Sequence, residues 1–588
     1  MAAEPIQIKS LPGIKRDGTR LEGDQYVDGQ WVRFQRGLPR KIGGYRSINK
    51  YLSAIPRALH GYTRTGLTYM HAASANKIER FHVDGGLNCS VISDRTPAGL
   101  AADATNVWQL DVMKHTTNGN TLIAQVAPNL SCLCNGNGGQ LFVGDLYATT
   151  ALTAVTAVPA NFNCTGGVVV LPPYAVAFGN DGYVAWSVPG KPDDLVGAGS
   201  GNAYVTDQKI VRGMPLRGGP GSSPSGLFWS ANALIRASFI GGTAVFQFDT
   251  IASTTVLSPR SIIEYDGVYY WAGTDRFLMF NGVVRDLPNP SNVNFFFDNL
   301  HPERSQTVFA FAVPRFGEIW WCFPTGESEE PNHAVIYNVR ENTWYDTELP
   351  NGGRSAGLTA SVFPYPMLSG VETHHQIATA VSVVSGGSGY AVGNVLTVAG
   401  GSHSVETEIT VDAVSAGAIT SATVTNAGAY DTIPANPVTV TGGSGSSATF
   451  NLTYTRPYRL WVHEYGVDEV DGLNINPIQS FFETADISLP VQSQTNKGIY
   501  VTFIEPDFVQ SGDMTVSIHG RANARAPEVD GTPISFPAVP ASPTEQIVPI
   551  KTQRRELRFR FESNTIGGDY QMGMILAHVQ PGDGTIIA

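Results

Sequence analysis

Charge is scarce in this chain. Lys, Arg, Asp and Glu together make up 15% of 588 residues, against 42% hydrophobic. Long helices would draw on more Glu, Lys and regular Ala-Leu periodicity than is present. Cysteine is also sparse: Cys89, Cys132, Cys134, Cys164 and Cys322 are the five. Their odd number forms no disulfide framework and fits a reducing compartment, so assembly in a cytoplasm is expected. Cys132 and Cys134 have no second cysteine pair or nearby histidine to complete four ligands, and they read as structural thiols rather than a metal site. No apolar run approaches the roughly 18 residues that span a bilayer, and the opening MAAEPIQIKSLPG has no apolar leader segment. Neither a membrane span nor secretion by that route is expected.

Motifs of chemistry are missing too. Gly190-Lys191 runs into Pro192, so no phosphate-cradling P-loop is present, and there is no HExxH. His463-Glu464 and His374-His375 stand without partners in sequence and take no catalytic role. The serines near Gly386 and Gly442 lack the strand-turn-helix setting of a nucleophile elbow. Asn342-Thr343-Trp344-Tyr345-Asp346 matches only the tail of an Asp-box, no carboxylate pair stands out as flanking a glycosidic bond, and Asp583 reads as a turn residue. The expectation is a protein that is not an enzyme, with no cofactor and no metal.

What the chain has in quantity is glycine (63) and proline (37), the punctuation of many short strands. Its length predicts two to four packed units. The formal charge of −12 argues against gripping nucleic acid over the whole surface, because such binding neutralises phosphates, but it permits DNA to pass.

Residues 1–50 are locally basic, with Arg33, Arg36 and Arg40 among ten cations, and read as an arm with short strands that either docks on a neighbouring subunit or is simply a solvated surface. From 51 to 375 an aromatic strand, a tight turn and a second strand recur. The clearest copy runs from Asp266-Gly267 through Val268-Tyr269-Tyr270-Trp271 and Arg276-Phe277-Leu278-Met279-Phe280 to Asn281-Gly282, and another from Glu318-Ile319-Trp320-Trp321 to Trp344-Tyr345. The spacing of roughly 40–50 residues predicts four-stranded propeller blades, six to eight of them, with an array of β-sandwiches as the rival.

Residues 376–455 are almost free of aromatics and internally duplicated at an offset of about 40 residues, which predicts a small inserted β-domain in a propeller loop. Residues 456–476 return to the propeller. Residues 477–588 read as a β-sandwich-like domain: Leu557, Phe559 and Phe561 alternate with Arg558 and Arg560, so the apolar set takes one face and the arginines the other. Lys551, Arg554, Arg555, Arg558 and Arg560 form a second basic cluster, read first as a subunit contact and second as a solvated face. The predicted class is therefore all-β: an irregular β-propeller with an inserted β-domain and a C-terminal sandwich.

Three stretches carry more than generic β signals: 28–45, with DGQWVRF and then RKIGGY; the kelch-like run 266–346 with WVHEYGVD at 461–468; and 553–584, with QRRELRFRFESN, GGDYQMG and PGDG. Together they resemble the tail nozzle proteins of short-tailed bacteriophages, also called tail hub or packaged-DNA stabilisation proteins. The resemblance implies a structural virion protein of the tail: a hexameric ring beneath the portal and its adaptor ring, with propellers around the DNA channel. Tail fibres or spikes and a distal plug or needle would be its neighbours, and double-stranded DNA would pass without sequence-specific binding. An acidic lumen would suit that role by repelling phosphates. The subunit or adaptor contacts would then fall on Arg33, Arg36, Arg40, Arg554, Arg555, Arg558 and Arg560. Two alternatives stay open: a carbohydrate-binding adhesin of the tail, and a polysaccharide-degrading propeller enzyme.

Overall fold

The blade with the plainest sequence explains the rest. In blade five, strands Ile263–Tyr265, Val268–Ala272, Phe277–Phe280 and Val284–Asp286 pair in order, antiparallel. Asp266 and Gly267 between the first two strands both have positive φ (53° and 77°), the conformation a two-residue hairpin needs to match strand twist. Alternation in Val268–Ala272 sends Tyr269 and Trp271 into a core shared with blade four, and Tyr270 and Ala272 into one shared with blade six. A middle strand buried on both faces is what radial stacking of blades demands.

A computed structural model describes residues 4–19, 24–64, 67–75, 77–84, 88–98, 108–117, 119–126, 139–217, 224–350, 352–360, 363–372, 375–487, 498–522, 525–538 and 547–582. Cys132, Cys134, His374 and Asp583 lie outside these. Within the described residues, six four-stranded sheets follow one another: 56–94, 108–154, 167–204, 210–253, 263–286 and 309–348. A seventh blade joins Arg354–Leu358, Met367–Val371, Tyr458–His463 and Tyr45–Leu52 in that order, extended by Glu469–Asp471 and Asn474–Asn476. Separate apolar clusters fill the seams between successive blades, and the first strand of blade seven lies against that of blade one. The chain is thus a β-propeller of seven described blades, its ring closed by a strand from far earlier in the sequence.

A β-sandwich belongs to the same compact unit as the blades. One sheet orders Val32–Gln35, Leu38–Lys41, Asp569–Pro581, Ile499–Ser511 and Val548–Arg554, with Glu4–Ile8 also on Asp569–Pro581. The other orders Asp28–Gln30, Ser480–Glu483, Glu556–Ser563, Met514–Arg521 and Val529–Asp530. Phe482, Phe559, Phe561, Val516, Ile504 and Ile575 fill the space between them. The expected N-terminal arm is therefore corrected: its strands complete both sheets, because a half-built sandwich would leave strand edges and apolar faces in water. Leu557, Phe559 and Phe561 are buried as their alternation predicts.

The second unit comprises Lys50–Ile55 and Ser369–Leu460. Its inserted part begins with Ile377–Ser388 and ends with Ser446–Thr455. The six strands Ile377–Ser388, Ser446–Thr455, Val438–Thr441, Val395–Val398, Glu408–Ser415 and Ala418–Asn426 form one sheet in that order. The duplication is visible in it: each long first strand pairs with the last strand of the other repeat. The end strands meet again at Gly386, where a Cβ would lie 2.5 Å from the Ile419 carbonyl oxygen, so only glycine lets the sheet curl onto itself.

Candidate functional site

Where the sandwich packs on blade six, the chain turns from one sheet to the other at Trp31. This residue has φ 53°, a costly conformation for a bulky side chain, and its indole is buried against Tyr45, Trp320 and His463. Two residues on, Arg33 is 1% exposed. It pairs with Glu318 at 2.8 Å and with Glu464 at 2.5 Å, and its guanidinium lies over the Phe316 ring. Burial works against the Arg33 charge, but the two carboxylates more than reverse this and raise its pKa. Glu318 also accepts from Trp320 Nε1 and the Tyr345 hydroxyl. Burial still leaves its carboxyl above the ordinary range, against the pull of Arg33. The neighbouring Lys41 is brought down to about 8 by burial, opposed by Asp468 and Asp569, and donates to the Gly568 carbonyl at 2.7 Å.

A cleft of about 680 Å³ opens beside this knot, lined by Arg16, Asp28, Gln30, His333, Glu348 and Phe481 among others. Arg16 donates to both oxygens of Asp346 (3.0 and 3.1 Å from Nε) and to Asp28 at 2.5 Å. His333 Nε2 lies 3.1 Å from Asp346. Burial alone would raise the Asp346 carboxyl; Arg16 and His333 outweigh it and hold the group below its ordinary value. Both carboxylates accept from one guanidinium, which holds them in place as acceptors.

The predicted contact arginines divide sharply. Arg33 and Arg558 are buried inside the molecule and are corrected as contact residues. Arg558 bonds Glu483 at 2.7 Å, Asp486 at 3.4 Å and Glu528. The face of its strand read as wet is thus a closed ion-pair network at that position. Arg560 lies over the Phe481 ring and reaches Glu483 at 3.2 Å. Arg40 is half-buried and donates to Gln35, and Arg554 is half-buried and donates to the Gln553 carbonyl. Arg36 and Arg555 are exposed, the first at a hairpin tip and the second where the chain switches sheets. Among the described residues no hydrogen bond or ion pair joins the N-terminal three to the C-terminal four.

Sequence reasoning missed the acids: Glu318, Glu464, Glu483 and Asp346. A signal existed for Glu318, which heads Glu318–Phe323, a strand buried at every position. His519, Glu528 and Asp530 are close enough to share a cation. Glu528 is already bonded to Arg558, and His519 Nδ1 lies 2.6 Å from Asp530, so the trio is satisfied by its own contacts. Cys89, Cys164 and Cys322 are buried. Burial pushes Cys164 up to about 12, against a backbone hydrogen bond, which keeps it a thiol.

Compared with family models and with curated proteins, the chain has no match. Among solved structures it is similar to the WD40 propeller domain of Doa1 (10% identity, 56% of this chain and 93% of that one, TM-score 0.35). It is also similar to the computationally designed Ika8 protein (10%, 61% and 96%, 0.31) and to a GH43 β-1,3-galactosidase (10%, 52% and 98%, 0.28). These likenesses carry no argument about activity. The class established by the sheets themselves is an all-β protein built on a propeller. No helix among the described residues is long and apolar enough to cross a membrane.

Proposed function

We propose that this chain is a structural subunit of the tail of a short-tailed bacteriophage, a nozzle protein that retains packaged DNA and conducts it during ejection, without enzymatic activity. The observation that carries this reading is where the three resembling stretches lie. They are tied to one another by direct bonds across 99 to 527 positions of sequence: Arg33 to Glu318 and Glu464, Lys41 to Gly568, and the Gly567 N–H to Asp468 at 2.8 Å. The resemblance therefore falls on one propeller-and-sandwich body rather than on scattered strands. In this reading the chain assembles in the host cytoplasm as a hexameric ring against the portal adaptor, with fibres or spikes and a distal plug as neighbours. Arg36 and Arg555 are the predicted arginines free to meet another subunit.

Native mass spectrometry and negative-stain microscopy of the chain mixed with its adaptor test this. A sixfold annulus is the expected result, weakened by Arg36→Glu with Arg555→Glu. A monomer or trimer that ignores the adaptor would remove the reading.

The cleft beside Arg16 favours a second reading, a carbohydrate-binding adhesin. Its size suits an oligosaccharide, and Phe481 with Gln30, Asn299 and Gln479 offers a ring face and hydrogen-bonding groups. Saturable binding of host-envelope oligosaccharide, lost on Phe481→Ala, would support it; release of reducing sugar would point instead to a hydrolase.

A further inference from the structure

We propose that the axis of the propeller holds a binding site for a small oxyanion of about phosphate size, built from Arg57, Arg212 and Arg260. The first strands of six blades, or the residues leading into them, converge on one cavity of about 150 Å³. Arg57 comes from blade one, Gln109 from two, Arg212 from four, Arg260 from the lead into five, Phe309 from six and Ala356 from seven. At roughly 30 Å³ per water, that space holds about five waters, or one tetrahedral anion with its residual hydration. It admits no duplex, so the site is separate from any role in passing DNA.

The three guanidinium groups differ in how they are satisfied. Arg57 is bidentate to Glu330 at 2.6 and 2.8 Å. Arg260 donates to four carbonyls, those of Arg57, Ser355, Gln306 and Thr307, which hold its plane rigid but bring no negative charge. Its Nε has no partner. Among the described residues the Arg212 side chain makes no hydrogen bond or ion pair, and its Nε is buried. The carboxylate nearest in effect is Asp111, whose oxygens are spent on the N–H groups of Val112 and Val170, both at 2.8 Å.

An acidic protein thus keeps two cations without ion pairs on its axis. Burial, with Arg57 adding to it and Glu330 opposing, brings Arg260 down to about 9, and burial likewise lowers Arg212 against Asp111. Guanidinium does not escape such a site by losing its proton under physiological conditions, so the desolvation cost stands until an anion offsets it. The donors left unspent by residues lining the cavity, the fork of Arg212 and the Nε–H of Arg260, suit the oxygens of a phosphate-like ion.

The test is thermal unfolding of the full chain in phosphate, sulfate or malonate, each against chloride at equal ionic strength. Phosphate and sulfate are expected to raise the transition saturably and chloride not. Arg212→Gln is expected to weaken phosphate binding at least tenfold, and Arg212→Lys by less. A shift with malonate alone would overturn the size and geometry proposed; equal shifts in phosphate and chloride, or full affinity in Arg212→Gln, would overturn the site. Should Arg212→Gln fail to fold, crystals of the unaltered chain soaked in selenate decide: an anomalous peak between Arg212 and Arg260 supports the site, and an empty cavity at saturating selenate refutes it.

Discussion

The body around Trp31 and the inserted segment are both β, and they are held together in opposite ways. The first is filled with rings, Tyr26, Phe34, Trp320, Phe482 and Phe561, and has ion pairs sealed within it at Arg33 and Arg558. The second, 376–455, has a core of Leu396, Val398, Ile409, Val411, Phe450 and Leu452 with no charged residue buried in it; the buried pair Arg459 and Glu372 sits at its two ends. The ring-filled body depends on partners far away in sequence, and the inserted segment on contacts within some eighty residues. A buried charge pair adds little net stability but makes the loss of either partner expensive. The first region should therefore be brittle to single changes of charge, and the second sensitive only to lost volume.

The largest effect should come from Arg33→Met, which leaves Glu318 and Glu464 buried without a cation. A cost of about 3–5 kcal/mol is expected in chemical denaturation, largely restored when Glu318→Gln and Glu464→Gln are added. Full stability of the single variant would end the brittle half of the contrast.

Acid should come next, and on the larger unit. His71 and His463 are both held well below the ordinary histidine value, His71 by burial, His60 and the arginines Arg95 and Arg80, and His463 by burial and Arg354. Below about pH 6.5 the unfolded chain takes up protons that the folded one refuses, so stability falls as pH falls; above that value neither histidine contributes. Each should cost about 1.4 kcal/mol per pH unit until its folded pKa is reached. His60, which burial brings down to about 4, adds to the same fall, so His463→Gln, which keeps an acceptor for Arg354, should remove about a third of the slope measured between pH 6.5 and 5.5. The inserted core has no histidine, and its transition should move less.

Leu396→Ala should cost the inserted segment about 2–4 kcal/mol through lost burial and a cavity, and lower its transition alone. The smallest effect belongs to Gly393→Ala. Its φ of 84° disfavours a side chain while nothing stands within 4 Å of the added Cβ, so about 1 kcal/mol of pure backbone cost is expected.

Much of this architecture is legible locally. Blade five and blade six are readable because their turns and aromatic strands are adjacent in sequence, and the inserted segment because its composition changes at both ends within a residue or two of Ile377 and Thr455. The role of residues 28–45 is not legible. Arg33 finds its acids 285 and 431 positions away, and a local count over residues 1–50 sees ten cations and five acids. Alternation places Arg558 on the correct face of its strand, but nothing in 556–563 reveals that Glu483, Asp486 and Glu528 cover that face. The axial arginines come from separate blades, and only closure of the ring brings them together.

That closure also sets a schedule for synthesis. Tyr45–Leu52 leaves the ribosome about 400 residues ahead of its partner Tyr458–His463, roughly 20–80 s earlier at ordinary elongation rates. For that time a strand destined for blade seven is an unpaired edge in a crowded cell. Arg46 and Lys50, spaced along it, are the kind of charges that keep such an edge from pairing with a stranger. On this view part of the local basicity guards the nascent chain, and it has done its work by the time the ring shuts.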